Sequence, residues 1–404
     1  MIYHGNNADV LANIADNTYT GILTDPPYGL SFMNKAWDYD VPDVQTFQEL
    51  LRVTKSGGFM LCFAGSRTYH RMVCNIEDAG WIIKDTIMWL YGSGFPKSYA
   101  IGKAIDAKIL MGGSNTRKLR AVEQKYGGDE YEIKVPRNGI KNEPETWSRK
   151  QYDNQTELGR MFGGYGTALK PAYEPICIAM KPNDGSNAEN AINHGVAGLN
   201  IDECRIGKEK RTYKGSGVSQ MRYSDSAAGY TDGRGKHLEF SVEGRWPANV
   251  IHDGSNEVTN NLPDQAARFF YCAKASTSEK NAGLDDFEPQ RNADREKEDG
   301  VGGDNPRNRT NTAKKNHHPT VKPLALMQYL ARLLKMPIGT KLLDPYMGSG
   351  STLIACALED IDCDGIEMNE DYIKIAKARL AHYIEDGDSD SDHTQISLFE
   401  ALND

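Results

Sequence analysis

The chain lacks any apolar stretch near the roughly 20 residues that a membrane-spanning helix needs. Its first residues, MIYHGNNADV, lack the basic start and apolar run of a secretory leader. Cys-x-x-Cys spacing is absent, because the seven cysteines stand apart at 62, 74, 177, 204, 272, 356 and 363. Without such a pair a structural zinc site has no support, and no metal is expected. An odd, scattered set of thiols suits a reducing cytoplasm and predicts buried small hydrophobes, not disulfides. No repeat at solenoid spacing is found, which excludes a stacked array.

Basic charge is also short overall: the net charge is −9. That balance argues against nucleic acid as a partner until its distribution is read. From Glu385 to Asp404 there are seven acidic residues and no Lys or Arg, so the body without this tail stands at −2. Between Arg205 and Arg245 there are nine Lys/Arg against five Asp/Glu. A phosphate backbone meets the local excess, not the whole-chain average.

What is present is an alternation of strand and helix patterns. Gly21–Thr24 reads as a short strand, Phe47–Val53 as a helix closed by Gly57 and Gly58, and Phe59–Phe63 as a buried strand. Trp81–Leu90, Pro171–Lys181, Arg268–Ala273, Lys341–Leu343 and Cys363–Glu367 read as further strands. Helices are predicted over Pro323–Leu334, Ser351–Leu358 and Asp371–Tyr383, and a polar loop over 276–316. This order predicts an α/β fold with a doubly wound, mainly parallel sheet. Polar, Gly-rich inserts break the alternation. The expected divisions are 1–100 and 246–383 as two halves of one domain, with 168–181 as its return strand. A polar insert at 101–167 and a basic stretch at 182–245 separate them, and 384–404 is an acidic tail.

Leu342-Leu343-Asp344-Pro345-Tyr346-Met347-Gly348-Ser349-Gly350-Ser351-Thr352 is a strand, a Gly turn and a helix start. Glycines let backbone approach a ligand, and the helix start offers free N–H groups. Glu367 follows Asp344 by 23 residues, at the end of the next strand. An acid there grips ribose hydroxyls, so the pair favours an adenosine-containing ligand. A nicotinamide dinucleotide fits less well, because the third glycine of its fingerprint is replaced by Leu353.

Asp25-Pro26-Pro27-Tyr28 is the most informative segment. Two prolines fix a rigid turn at the C-terminal end of a strand, where ligands bind in open α/β sheets. The amine of a nucleobase is a poor nucleophile, since its lone pair is delocalised into the ring. The Asp25 carboxylate and the Pro26 carbonyl can accept its two N–H groups and localise that pair, while Tyr28 stacks on the base. Positioning then supplies most of the acceleration. A base inside a duplex cannot reach such a turn and must be flipped out.

The two motifs in this order resemble the DPPY-type amino-methyltransferases of bacterial and phage DNA modification. In particular they resemble the circularly permuted beta class, most like the adenine-N6 enzymes. The resemblance runs from His4-Gly5-Asn6 to the closing helix and includes His318-Pro319-Thr320-Val321-Lys322-Pro323, Arg245-Trp246-Pro247-Ala248-Asn249 and Gly166–Pro171. It implies a Rossmann-like methyltransferase fold, S-adenosylmethionine as cofactor, double-stranded DNA as substrate, and a bacterial or phage-infected cytoplasm. By resemblance Asn6, Asp344, Pro345, Tyr346, Gly348, Ser349, Gly350, Thr352 and Glu367 hold the cofactor, with His318, Thr320 and Lys322 toward its methionine end. Asp25, Pro26, Pro27 and Tyr28 handle the base. Asn6 stands where many members have Asp, and Tyr346 where Phe is common, so its hydroxyl needs a partner. Asp as the first residue of the tetrapeptide favours adenine N6. Cytosine N4 is the alternative, and a DNA-binding protein with an inactive methyltransferase fold is an alternative of another class.

Arg211, Arg222, Arg234 and Lys236, interleaved with Tyr213, Tyr223 and Tyr230, are the candidate DNA contacts. Trp37 and Asp38 are candidates to line the base pocket. Beyond the acidic run, Gln395-Ile396-Ser397-Leu398-Phe399 resembles the peptide by which bacterial replication proteins dock on the sliding clamp, anchored by Gln395, Leu398 and Phe399. A homodimer is a further expectation.

Overall fold

The computed structural model describes residues 1–30, 38–92, 94, 98–128, 130–135, 145–150, 152–214, 239–259, 270–290 and 315–385. Trp37, Arg222, Arg234, Lys236, Gln395, Leu398 and Phe399 lie outside the described residues. The chain forms two compact units, one of residues 1–91 with 173–404 and one of residues 92–172.

Thirteen strands are described. In chain order they are β1 Ile2–His4, β2 Tyr19–Thr24, β3 Thr54–Phe63, β4 Ile82–Leu90, β5 Glu130–Val135, β6 Glu145–Lys150 and β7 Tyr173–Met180. They continue as β8 Ile206–Lys214, β9 Glu239–Arg245, β10 Val250–His252, β11 Phe270–Tyr271, β12 Lys341–Asp344 and β13 Asp362–Glu367. Nine of them build one sheet in the order β1-β13-β12-β2-β3-β7-β4-β10-β11. Within it β7 alone is antiparallel to its neighbours.

The sheet is buried on both faces, and strand periodicity sorts its side chains. Leu23, Leu61, Phe63 and Leu342 fall on one face with the helix Leu324–Leu334 and the helix Ser351–Leu358. Ile22, Met60, Cys62 and Leu343 fall on the other, against Phe47 and Leu50 of the helix Val44–Val53 and Met72 and Ile76 of the helix Tyr69–Asp78. This is the doubly wound, mainly parallel architecture that the alternation predicts.

Several boundaries differ from the sequence pattern. The first long helix starts earlier, at Val44, because the Asp43 carboxylate caps it by accepting from Thr46 N at 2.8 Å. Strand β3 runs back through Gly57 and Gly58 to Thr54. Within the predicted loop 276–316, a capping box of Ser276 and Glu279 starts the helix Thr277–Asn281. The short strands β1 and β10 escape a periodicity reading because three residues hold no full pattern.

The unit 92–172 has its own order. The helices Ile101–Met111 and Thr116–Tyr126 and the hairpin of β5 and β6 belong to it. Buried Asp106 accepts from Tyr152 Oη at 2.7 Å, Gln155 N at 2.7 Å, Thr156 N at 3.0 Å and Thr156 Oγ1 at 2.5 Å. The basic stretch of the other unit contributes the antiparallel pair β8 and β9, with Arg211 opposite Val242.

Candidate active site

Strands β2 and β12 are neighbours, with Leu342 opposite Gly21 and Leu343 opposite Ile22. They run parallel, so the Asp25 turn and the Gly348 turn leave the sheet at the same edge. That edge is where open α/β sheets bind ligands. A side-chain bridge joins the two ends. Thr24 Oγ1 donates to Asp344 Oδ1 at 2.8 Å, and Thr352 Oγ1 donates to Asp344 Oδ2 at 2.5 Å. Tyr346 N also donates to Oδ1, at 3.1 Å. Sequence reasoning gave Asp344 to the cofactor; here both its oxygens are engaged by protein donors and the side chain is buried. Burial raises its pKa to about 6, against the pull of those hydrogen bonds.

A second cluster is built on Asp25. Tyr28 Oη donates to Asp25 Oδ1 at 2.7 Å, and Lys322 Nζ donates to Asp25 Oδ2 at 2.6 Å. Lys322 Nζ lies 3.1 Å from Tyr28 Oη and 3.4 Å from Glu174 Oε2, and 4.7 Å from the centre of the Phe63 ring. The buried ammonium therefore has three acceptors for its three protons, one each from Asp25, Tyr28 and Glu174. Lys322 was expected at the methionine end of the cofactor; its ammonium sits on Asp25. The carboxylates of Asp25 and Glu174 raise its pKa over the depressing effect of burial.

The turn itself is held from behind. Buried Asp38 accepts from Tyr28 N at 2.7 Å, Gly29 N at 3.0 Å and Leu30 N at 3.2 Å. Thr68 Oγ1 donates to Tyr28 O at 2.5 Å. Pro26 is buried and Pro27 half-buried. Asp38 thus supports the turn by its backbone.

Around the second motif, Gly348 and Gly350 have φ of +52° and +80°, which L side chains rarely adopt. Gly350 is the N-cap of the helix Ser351–Leu358 and, being glycine, offers no side chain to cap its first turn. Glu367 Oε2 accepts from Gly348 N at 3.1 Å and Oε1 from Asn369 N at 2.8 Å; burial raises its pKa. Fully buried Arg379 holds the turn from the closing helix, donating from Nη1 to Ser349 O at 2.5 Å and Ser349 Oγ at 3.1 Å.

His318 packs on this turn, since a methyl group on Gly348 would lie 2.6 Å from its Nε2. Its Nδ1 donates to Thr320 O at 2.8 Å, and burial lowers its pKa to about 4. The ring is neutral at physiological pH, with Nε2 free to accept. Thr320 itself is exposed. Pro345 is buried, and Asn7 and Thr46 supply the Tyr346 hydroxyl with the partners it needs. Asn6 spends its side chain on the cap of the helix Asn7–Leu11, accepting from Ala8 N at 2.9 Å. It stays near the turn because Gly5 N donates to Glu367 O at 3.1 Å.

Glu174, Asp38, Thr24 and Arg379 complete the site, and sequence reasoning gave none of them these places. Glu174 had a signal: an acid at the head of an apolar strand. Arg379 had none beyond its position on an apolar helix face.

Fold and site together describe an open α/β protein with one ligand edge, where a Gly turn with its acid meets an Asp-Pro-Pro-Tyr turn. The N6_N4_Mtase family model, described as DNA methylase, matches residues 19–378, and the chain belongs to this N6/N4 DNA methylase family. The Type II methyltransferase M.SmaI of Serratia marcescens is 41% identical over 63 residues, which are 16% of this chain and 21% of M.SmaI. The match thus spans about a fifth of that relative's length. Among solved structures, the M1.HpyAVI–SAM complex is 14% identical with a TM-score of 0.38, covering 94% of this chain and 98% of that one. The cytosine-N4-specific PvuII DNA methyltransferase is 12% identical with a TM-score of 0.43, covering 100% and 91%. Likeness at those scores carries no weight for the choice of base.

Proposed function

We propose that the protein transfers a methyl group from S-adenosylmethionine to N6 of an adenine flipped out of double-stranded DNA. The observation that carries this reading is the Asp25 carboxylate, fixed at the shared edge of β2 and β12 by one donor on each oxygen. An ionised carboxylate has about four lone-pair sites, so each oxygen keeps one for a further N–H. A target amine donating to Asp25 and to the Pro26 carbonyl has its nitrogen lone pair localised toward the cofactor side. The Asp25 carboxylate then lies within reach of the proton that the methylated amine must lose.

The residues present fit the cofactor. Two glycines with positive φ, a helix start with glycine as its N-cap and the half-buried Glu367 carboxylate offer backbone N–H groups and an acceptor for ribose hydroxyls. When bound, the cofactor supplies an electrophilic methyl group on a sulfonium. The polar insert 101–167 and the basic stretch 182–245 are proposed to carry the DNA contacts, Arg211 among them.

The test is methylation of mixed-sequence duplex DNA with S-adenosylmethionine, digestion to nucleosides and mass spectrometry. N6-methyldeoxyadenosine is the expected product. N4-methyldeoxycytidine would keep the mechanism and change the base. No methylated nucleoside, with cofactor shown to bind, would overturn the reading in favour of a DNA-binding role without catalysis.

A further inference from the structure

The strand β7 runs antiparallel between β3 and β4, and its second residue, Glu174, points an acid at the reaction cluster. Glu174 Oε2 lies 3.4 Å from Lys322 Nζ and 3.4 Å from Tyr28 Oη. Its side chain is 23% exposed, while that of Lys322 is only 9% exposed. The base-binding chemistry proposed above needs Asp25 and Tyr28 but leaves this second carboxylate without a task.

We propose that Glu174 is a positioning residue for methyl transfer: it shares the Lys322 ammonium with Asp25 and leaves the cluster with a net negative charge. The inference rests on the reading that Asp25 receives the target amine. Asp25 and Lys322 alone form a neutral pair at 2.6 Å. A neutral pair offers little to an amine that becomes cationic as the methyl group arrives. With Glu174 the cluster carries two anions and one cation. Lys274, packed on the Tyr91 ring, is a further cation with Glu174, Asp253 and Lys280 around it, so the negative excess belongs to the Asp25–Lys322–Glu174 cluster itself and not to its wider surroundings. His318 is neutral and does not change the balance. Glu174 also supplies one of the three acceptors that aim the ammonium, so that it holds Asp25 without closing over both of its oxygens.

The groups facing the Lys322 ammonium are Asp25 and Tyr28 from the end of β2, Glu174 from β7, the Phe63 ring from β3, and more distantly Lys274 and His318. Burial lowers the Lys322 pKa and the two carboxylates raise it. Removing one carboxylate therefore moves its titration to lower pH.

The experiment compares full-length wild type, Glu174→Gln and Glu174→Asp. For Glu174→Gln we expect kcat to fall about 10- to 100-fold, with KM for DNA changed less than about threefold. The basic limb of its kcat–pH profile should move about one unit toward neutral. Calorimetric titration gives a readout apart from turnover. The preference for cationic S-adenosylmethionine over the neutral thioether S-adenosylhomocysteine should drop about threefold or more in Glu174→Gln. Glu174→Asp keeps the charge and should recover part of both losses. Unchanged kcat, pH limb and cofactor preference in Glu174→Gln would overturn the proposal. So would equal losses in Gln and Asp with no movement of the limb, which would mark Glu174 as packing. An inactive wild type in the same assay would instead refute the methyltransferase reading itself.

Discussion

Buried Asp344 and half-buried His318, both at the ligand edge, titrate in the same acid range with opposite consequences for stability. Asp344 has its pKa raised from 3.8 to about 6, so the folded state binds the extra proton between those values. Its contribution is most favourable below 3.8 and is lost as pH rises through about 6. His318 has its pKa lowered from 6.5 to about 4, so the unfolded state binds the extra proton. Its contribution is fully present above 6.5 and is lost as pH falls through about 4. In the wild type the two slopes oppose each other. Asp344→Asn should leave the His318 slope, so that Tm rises from pH 4 to pH 6.5 more steeply than in the wild type. His318→Gln should leave the Asp344 slope, with Tm falling over that range. Parallel Tm–pH curves for the three proteins would show that neither group titrates as described. Asp25 makes a separate prediction, since the proposed reaction gives its carboxylate to the target amine and not to the cofactor. Asp25→Ala should abolish methyl transfer while calorimetric affinity for S-adenosylmethionine changes less than about tenfold. Equal loss of both would contradict its role. The motif residues at these positions were legible in sequence because their chemistry is local. The Asp344 bridge was not, because its partner Thr24 is 320 positions away and only the pairing of β2 with β12 brings them together.

At the scale of elements, the Gly348–Gly350 turn is pinned between a side chain and a helix, and its two glycines should fail differently. A methyl group at Gly350 would lie 2.9 Å from Ala376 Cβ and 3.2 Å from Ala376 Cα, in the backbone of the helix Glu370–Glu385. That helix must shift, and positive φ adds strain. Gly350→Ala should therefore lower stability by about 1–3 kcal/mol, read by denaturant unfolding. A methyl group at Gly348 shares the positive-φ strain but meets the His318 side chain, with Nε2 at 2.6 Å, and not the backbone of a helix. Gly348→Ala should lose cofactor affinity more than stability, because the turn backbone that would face the ligand is what moves. If Gly348→Ala binds S-adenosylmethionine as the wild type does, the turn is not the cofactor cradle. Turn, strand and helix were all readable from the glycines and the apolar runs around them. The direction of β7 was not, since an apolar strand of eight residues reads alike in either sense. That direction nevertheless decides which end of the strand, and so whether Glu174, reaches the ligand edge.

At the scale of the whole molecule, charge is divided between the units more sharply than the sequence windows showed. Residues 92–172 carry 14 Lys/Arg and 9 Asp/Glu, a net +5, while the rest of the chain stands at −14. The polar look of that insert hid two helices, because a surface helix in a small unit has few core positions to mark its period. One of them, Thr116–Tyr126, presents Arg117, Lys118 and Arg120 within a single turn, all at least partly exposed. If this unit meets the phosphate backbone, binding should release counterions and depend steeply on salt. Each phosphate neutralised contributes about 0.9 to the slope of log K against log salt on duplex DNA. Replacing Arg117, Lys118 and Arg120 together by Gln should then flatten the slope by about 2 to 3 and weaken binding on every sequence alike. Fluorescence anisotropy with a labelled duplex across 50 to 200 mM salt, about the range over which such contacts are lost, reads both quantities. The fold of the unit should survive, because its hydrogen-bonded knot is built on Asp106, Tyr152, Gln155 and Thr156 and not on these three side chains. An unchanged slope would move the phosphate contacts out of this helix, with the basic stretch 182–245 and its Arg211 next to be tested. A loss of binding on some sequences only, with the slope intact, would instead mean that the helix reads bases.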